Sequence, residues 1–78
     1  MSGARLTEKL DKLVRMANQI ADFFRPYPEE KAIAGVQEHI RAFWTSRMRN
    51  ELAAHAAAGG AGLDPKVLEA LRREQAVG

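Results

Sequence analysis

The chain has 78 residues, no cysteine and a formal net charge of +2 at pH 7. This length allows one small domain, which buries only about 60–65% of the surface that the unfolded chain exposes. The absence of cysteine excludes disulfides, thiolate metal sites and iron–sulfur ligation. Because domains of this size often gain stability by association, we expect binding to another chain.

The N-terminal segment, residues 1–5, shows no apolar run of the kind found in secretory signals, and we expect it to be flexible. No stretch approaches the roughly 20 apolar residues that a membrane-spanning helix needs. These two observations predict a cytoplasmic protein without a membrane contact.

The first predicted helix covers about residues 7–24, with Thr7 as its N-cap. Met16 and Phe23 form an i,i+7 pair beside the main apolar face, which indicates contact with more than one neighbour. The helix is expected to end before Pro26, because the residue preceding a proline is disfavoured in the α region. The main apolar face follows a spacing of three and four and contains Leu6, Leu10, Leu13, Ala17, Ile20 and Phe24.

A second predicted helix covers about residues 28–44, with Pro28 as its first residue and two glutamates in its first turn. Gly35 lies inside this helix, where glycine costs about 1 kcal/mol relative to alanine. We therefore expect another helix to pack closely at Gly35. The apolar stripe of this helix contains Ile33, Val36, Ile40 and Phe43.

The third predicted helix covers residues 46–57, and either Thr45 or Ser46 can provide its N-cap. Together, residues 6–58 are predicted to form one helical domain. The glycine-rich segment at 59–63 follows and is expected to act as a flexible linker.

A short C-terminal helix is predicted over residues 64–74. Asp64 is placed to cap it, Pro65 is its first helical residue, and Leu63 can pack on Leu68 as a hydrophobic staple. A helix with so few apolar side chains does not stay folded alone, so it must dock on its own domain or on a partner.

The fold class that these elements predict is all-α, a small bundle of three to four short helices. No alternating apolar–polar run of the strand type is present. Residues 75–78 are expected to form a tail.

No pattern in the sequence indicates catalytic, cofactor-binding or metal-binding residues. The chain contains neither a G-x-G-x-x-G segment nor a P-loop motif, which would bind phosphates. His39 and His55 are too far apart for an i,i+4 pair, and a lone histidine lacks the other ligands that a metal needs. Both are more typical of a surface or an interface. We therefore expect an accessory chain that is not itself an enzyme.

Asn18 and Gln19 interrupt the first helix with two amide side chains. In one interpretation both amides are solvated. In the other, one amide reaches a backbone group of a partner chain and fixes the register of that contact.

A second polar feature combines arginines with the single tryptophan. Trp, Arg and Met are enriched at protein interfaces, which favours a partner contact by Trp44, Arg47, Met48 and Arg49. Trp44 can instead be an ordinary core residue. Because Arg41 also flanks the tryptophan, a nucleic-acid patch is a further alternative, although the third helix presents few side chains that would contact bases.

Three segments of the chain resemble motifs of the formate dehydrogenase delta-subunit family. They extend over residues 10–72 in the order of the family. Ser46 departs from the family pattern, in which proline is common at this position, but serine keeps the capping chemistry. The segments are Lys12–Ala21 with Phe23-Phe24, then His39-Ile40 with Phe43-Trp44, Arg47-Met48-Arg49 and Leu52, and finally Leu63-Asp64-Pro65 with Val67 and Ala70.

The resemblance implies an accessory subunit of a cytoplasmic, molybdenum-containing, NAD-dependent formate dehydrogenase. In such complexes the larger subunits carry bis-molybdopterin guanine dinucleotide, iron–sulfur clusters and FMN, and this chain binds none of them. The bundle would be completed by docking on the larger alpha subunit, in a complex with beta and gamma subunits. The predicted partner-binding residues are Arg15, Met16, Asn18, Gln19, Phe23, Trp44, Arg47, Met48 and Arg49.

Three other functions stay open at this point. The chain can be a transient chaperone that inserts cofactor into the same enzyme, a small nucleic-acid-binding regulator, or a helical module of an unrelated complex. The resemblance favours a subunit that stabilises the catalytic alpha subunit and its cofactor-loaded state, because a chain that binds only the native form stabilises it by mass action.

Overall fold

The computed structural model describes the backbone of residues 2–77 and the side-chain surroundings of residues 9–74. Within this part of the chain no strand occurs, and the predicted all-α class is confirmed. The helices are α1 (Ser2–Phe23), α2 (Glu29–Phe43), α3 (Ser46–Ala57) and α4 (Pro65–Val77).

The outer ends of the first and last helices differ from the predicted bounds. α1 begins at Ser2, so Thr7 lies inside the helix rather than at its N-cap. The residues between Ser2 and Thr7 include alanine, arginine and leucine, which favour a helix, and they include no proline that would stop it. α4 likewise continues to Val77, because neither glycine nor proline follows residue 74 within the helix. Met1 and Gly78 lie outside the described residues.

The four helices share one apolar core. α1 contacts the other three helices, and α2 lies along α4 in the most extensive pairing. Trp44 is only 6% exposed, so the tryptophan belongs to this core. The core residues are Leu13, Ala17, Ala21, Ile33, Val36, Ile40, Trp44, Leu52, Leu63, Val67, Ala70 and Leu71.

Two helices have side-chain caps at the positions that the sequence predicts. The Thr45 hydroxyl accepts a 3.1 Å hydrogen bond from the Met48 amide at the start of α3. The Asp64 carboxylate accepts a 2.9 Å bond from the Lys66 amide at the start of α4. Pro28 differs slightly from its prediction, because it immediately precedes α2 with φ −53° and ψ 148°.

The glycine-rich segment after α3 forms a built turn rather than an open linker. The Gly60 amide bonds the His55 carbonyl at 2.9 Å and the Gly59 amide bonds the Ala56 carbonyl at 3.2 Å, which is the Schellman pattern. Both glycines have positive φ, 120° at Gly59 and 65° at Gly60, a conformation that other residues rarely adopt. Gly60 is buried, and the Leu68 side chain occupies the space that a Cβ would need.

The Asn18 amide ties this turn to α1. Its Nδ2 donates to the Gly62 carbonyl at 2.9 Å, and its Oδ1 accepts from the Asp64 amide, also at 2.9 Å. We call these two bonds the Asn18 clamp. The clamp joins the middle of α1 to the residue that caps α4, so it holds the start of the last helix against α1.

Ion pairs add a second link between α2 and α4. Arg73 donates to Glu69 on its own helix and to Glu30 on α2, at 2.8 Å in each case. Hydrogen bonds from Arg72 and then Arg73 lower the pKa of Glu69 to about 2. The hydrogen bond and the positive charge of Arg73 also lower the pKa of Glu30.

Replacing Asn18 by alanine is expected to lower the free energy of unfolding by about 1–3 kcal/mol, because the Gly62 carbonyl and the Asp64 amide lose their partner. Urea unfolding followed by circular dichroism measures this change. The exposed neighbour Gln19 provides the control, and Gln19→Ala should shift the free energy by no more than about 0.5 kcal/mol. Equal effects of the two substitutions would refute the clamp.

Acid should weaken the α2–α4 link. Because folding lowers the pKa values of Glu30 and Glu69, their stabilisation is fully present above the ordinary carboxyl pKa of 4.5. It is lost as the pH falls from there towards about 2, the pKa of Glu69 in the folded chain. Between pH 6 and pH 2.5, the melting temperature of Arg73→Gln should therefore fall less than that of the unmodified chain, as measured by thermal unfolding. Parallel pH profiles would contradict this assignment.

Candidate partner interface

Three large aromatic side chains lie on the surface of this small domain. Phe23 is 69% exposed, Phe43 is 74% exposed and Tyr27 is 48% exposed. A phenylalanine ring exposed to water contributes no burial free energy to folding, and apolar patches on a surface are typical of interaction sites. These three residues are therefore the first candidates for contact with a partner.

The first half of this surface lies at the end of α1 and in the following turn. The Phe23 and Phe24 rings meet edge to face with centroids 5.0 Å apart, and the Phe24 and Tyr27 rings are 5.5 Å apart at 61°. The Tyr27 amide donates to the Phe24 carbonyl at 3.0 Å, so the turn before α2 brings the three rings together. Edge-to-face geometry is favourable for aromatic pairs.

Gly35 allows this cluster to continue onto α2. A Cβ at residue 35 would lie 2.5 Å from Cε1 of Phe24, so only glycine admits the ring at this position. Close packing is present at Gly35, but the group that packs there is the Phe24 ring from the turn after α1 and not, as the sequence predicts, another helix.

His39 and Phe43 follow Gly35 at i+4 and i+8, on the same side of α2. Their ring centroids are 4.7 Å apart and the planes are tilted by 40°. From Gly35 to Phe43 the helix rises about 12 Å. The aromatic strip is the surface formed by Phe23, Phe24, Tyr27, His39 and Phe43.

The spacing of Phe43 predicts a place in the apolar stripe of α2, and this prediction is wrong because Phe43 is 74% exposed. Phe43 and Trp44 are neighbours at the end of the helix, and their side chains point in different directions. Trp44 takes the core position, and Phe43 stays exposed. Two adjacent aromatic residues at a helix end are the sequence signal that one of them faces outwards.

The predicted partner-binding residues of α1 have different surroundings. Arg15 and Gln19 are exposed, and Met16 is half-buried against the core. Asn18 forms the clamp inside the chain. Phe23 belongs to the aromatic strip and is the most exposed apolar residue among them.

The predicted residues around the α2–α3 turn are also separated by the fold. Trp44 lies in the core, and Met48 is half-buried and packs on it. Arg47 is exposed and lies 3.8 Å from Glu51, an i,i+4 pair on α3. Arg49 is half-buried and turns towards a cavity.

That cavity lies between α2, α3 and α4 and has a volume of about 360 Å³. Arg49 donates to the Ser46 hydroxyl at 3.2 Å, whereas its Nε is covered by the protein and has no hydrogen-bond partner among the described residues. Arg41 and Glu74 form a two-bonded ion pair at 2.9 and 2.8 Å on another wall. The lining residues are Gln37, Ile40, Arg41, Ser46, Arg49, Asn50, Ala53, Ala70, Leu71 and Glu74.

None of the helices in the described part of the chain is long and apolar enough to cross a membrane. Among the same residues, no group of three or more His, Cys, Asp or Glu side chains is arranged to hold a metal ion.

Comparison with protein families gives a match over most of the chain. The family model of the NADH-dependent formate dehydrogenase delta subunit, FdsD, matches residues 12–71 of the 78-residue chain. Comparisons with the curated proteins and with the solved structures give no significant match. The matched range includes the Asn18 clamp, the whole aromatic strip and Arg49. Because the match covers most of the sequence, the chain belongs to the formate dehydrogenase delta-subunit family.

Proposed function

We propose that this chain is a non-catalytic accessory subunit of a cytoplasmic NAD-dependent formate dehydrogenase, and that it docks directly on the catalytic alpha subunit. The enzyme converts formate and NAD⁺ to CO₂ and NADH. Membership of the delta-subunit family supports a place in a multi-subunit complex. The observation that carries the docking proposal is the exposure of the aromatic strip.

The aromatic strip is suited to bind a protein surface. An aromatic side chain buries about 150–250 Å² when it is covered, at about 25 cal/mol per Å². Phe23 and Phe43 each retain most of their surface for a partner. Covering the two therefore contributes roughly 2–4 kcal/mol each before the costs of association. Aromatic residues of this kind dominate the energy of many interfaces.

Docking would act on the catalytic subunit by linkage. A small chain that binds the folded alpha subunit, and not its unfolded form, shifts the equilibrium towards the folded form. The same reasoning applies to the state loaded with bis-molybdopterin guanine dinucleotide, if that state presents the better surface. Beta and gamma subunits in the same complex, together with alpha, would carry the iron–sulfur clusters and FMN.

The ionisable groups of the chain support a structural role. The carboxyl groups with lowered pKa values, Glu30 and Glu69, face arginines in surface ion pairs. A general acid–base pair needs two groups whose environments drive their pKa values apart within one site. In this chain the pKa values of Glu30 and Glu69 are both lowered, by ion pairs with arginines of α4, one of which, Arg73, links α2 to α4.

The complex itself provides the test. Alpha, beta and gamma subunits are produced with and without this chain, and the molybdenum content and thermal stability of alpha are measured. We expect both to fall when the chain is absent. Equal molybdenum content and equal stability in the two preparations would refute the proposal.

Subunit stoichiometry after gel filtration then separates a permanent subunit from a cofactor-insertion chaperone. A fixed ratio of this chain to alpha in the active enzyme supports a permanent subunit. An active enzyme that has lost the chain, but needed it for molybdenum loading, supports the chaperone.

Replacing Phe43 by alanine should raise the Kd for the large subunit about 10-fold or more, because an exposed ring loses its contact with the partner. The stability of the free chain should hardly change, since the ring is 74% exposed. Glu38→Ala, an exposed position on the same helix, is the control and should leave the Kd within about twofold. Biolayer interferometry with the immobilised complex measures both. An unchanged Kd for Phe43→Ala would exclude the aromatic strip as the interface.

A further inference from the structure

The cavity between α2, α3 and α4 contains a cationic group with unused hydrogen-bonding capacity. A guanidinium carries five N–H donors. Among the side chains of residues 9–74, Arg49 has one acceptor, the Ser46 hydroxyl, at the long distance of 3.2 Å. Its Nε is covered and unpaired. A covered donor without an acceptor costs free energy, so this side chain is incomplete in the isolated chain.

The charges around the cavity favour an incoming anion at Arg49. Arg41 is neutralised by Glu74 through two hydrogen bonds, and Gln37 lies 3.4 Å from the same carboxylate. Arg49, by contrast, forms no ion pair with the described side chains. Within residues 9–74, the cavity therefore keeps one uncompensated positive charge beside the Arg41–Glu74 ion pair.

The remaining walls set the shape of the ligand. Ile40, Ala53, Ala70 and Leu71 give the cavity apolar sides. Apolar walls with one cationic donor suit a carboxylate carried on a short methylene chain, which packs along the walls while its oxygens reach the guanidinium. An Asp or Glu side chain has this form.

We propose that the Arg49 cavity receives an acidic side chain, Asp or Glu, from the large subunit. This inference rests on the proposed function, because it assigns a second contact to the same docking event. A carboxylate can form two parallel bonds to the two terminal nitrogens of a guanidinium, the edge that does not include the covered Nε, and such charge-assisted pairs are the strong ones. Arg49 is then the specificity-determining residue for this contact.

The position of the cavity makes the contact independent of the aromatic strip. Gln37 and Arg41 line the cavity and stand two positions before and after His39 of the strip. Residues two apart are related by a rotation of about 200° round the helix axis, so they lie on nearly opposite sides. The partner must therefore reach both sides of α2, and loss of one contact leaves the other intact.

The test compares Arg49→Gln with Arg47→Gln in the full-length chain. Arg47 is an exposed neighbour outside the cavity, so its replacement removes the same charge without the contact. Binding to a dehydrogenase complex prepared without this chain is measured at 50 mM and 300 mM salt. We expect Arg49→Gln to raise the Kd about 10- to 100-fold and Arg47→Gln to change it less than threefold. Circular dichroism should show equal helicity for both variants.

Two results would overturn the inference, and they are distinguishable. If the unmodified chain binds but Arg49→Gln binds equally well, the cavity contact is wrong and the proposed function stands. If the unmodified chain does not bind the complex at all, the proposed function fails as well.

An Arg49→Lys variant identifies the partner residue. Carbodiimide joins the amine at this position to a carboxylate in contact with it, and mass spectrometry locates the amide. We expect a link to an Asp or Glu of the large subunit. A bound Arg49→Lys chain that is coupled only through its other lysines contradicts the proposal.

Discussion

The two hydrogen bonds of Asn18 are the constraint on which the arrangement of the four helices depends. They connect the middle of α1 to Gly62 and to the Asp64 amide, at the entrance of α4. They hold the start of α4 against α1, while the last helix lies along α2 and closes the core over Val36 and Val67. The same helix supplies one wall of the Arg49 cavity through Ala70, Leu71 and Glu74.

The chain divides its apolar side chains between its own core and its surface. Small residues such as Ala17, Ala21 and Ala70 are buried where helices meet. Phe23 and Phe43, which offer far more apolar surface, remain outside. A marginal domain that leaves two phenylalanine side chains in water can still bury this apolar surface, and gain free energy from it, when it associates with a partner. This distribution accords with membership of a subunit family.

Sequence periodicity predicts the helices and the caps at Thr45 and Asp64, because both signals are local. The family resemblance over residues 10–72 agrees with the matched range 12–71. Contacts between residues far apart in the sequence leave no such local signal. Nothing near Asn18 in the sequence shows that its amide bonds to Gly62 and Asp64, which lie 44 and 46 positions further along the chain. The Arg49 cavity also needs three helices in place before it exists, and the choice between Trp44 and Phe43 for the core depends on how α2 is rotated.

Gly35 affects both the stability of the free chain and the shape of the aromatic strip. Alanine at a helical glycine normally adds about 1 kcal/mol of stability. At residue 35 the methyl group would displace the Phe24 ring and change the shape of the surface beside it. The gain in helix propensity is therefore opposed by the lost packing of Phe24, and the stability of the isolated chain does not report the change in this surface. The useful screen for an engineered version of this subunit is the yield of intact enzyme.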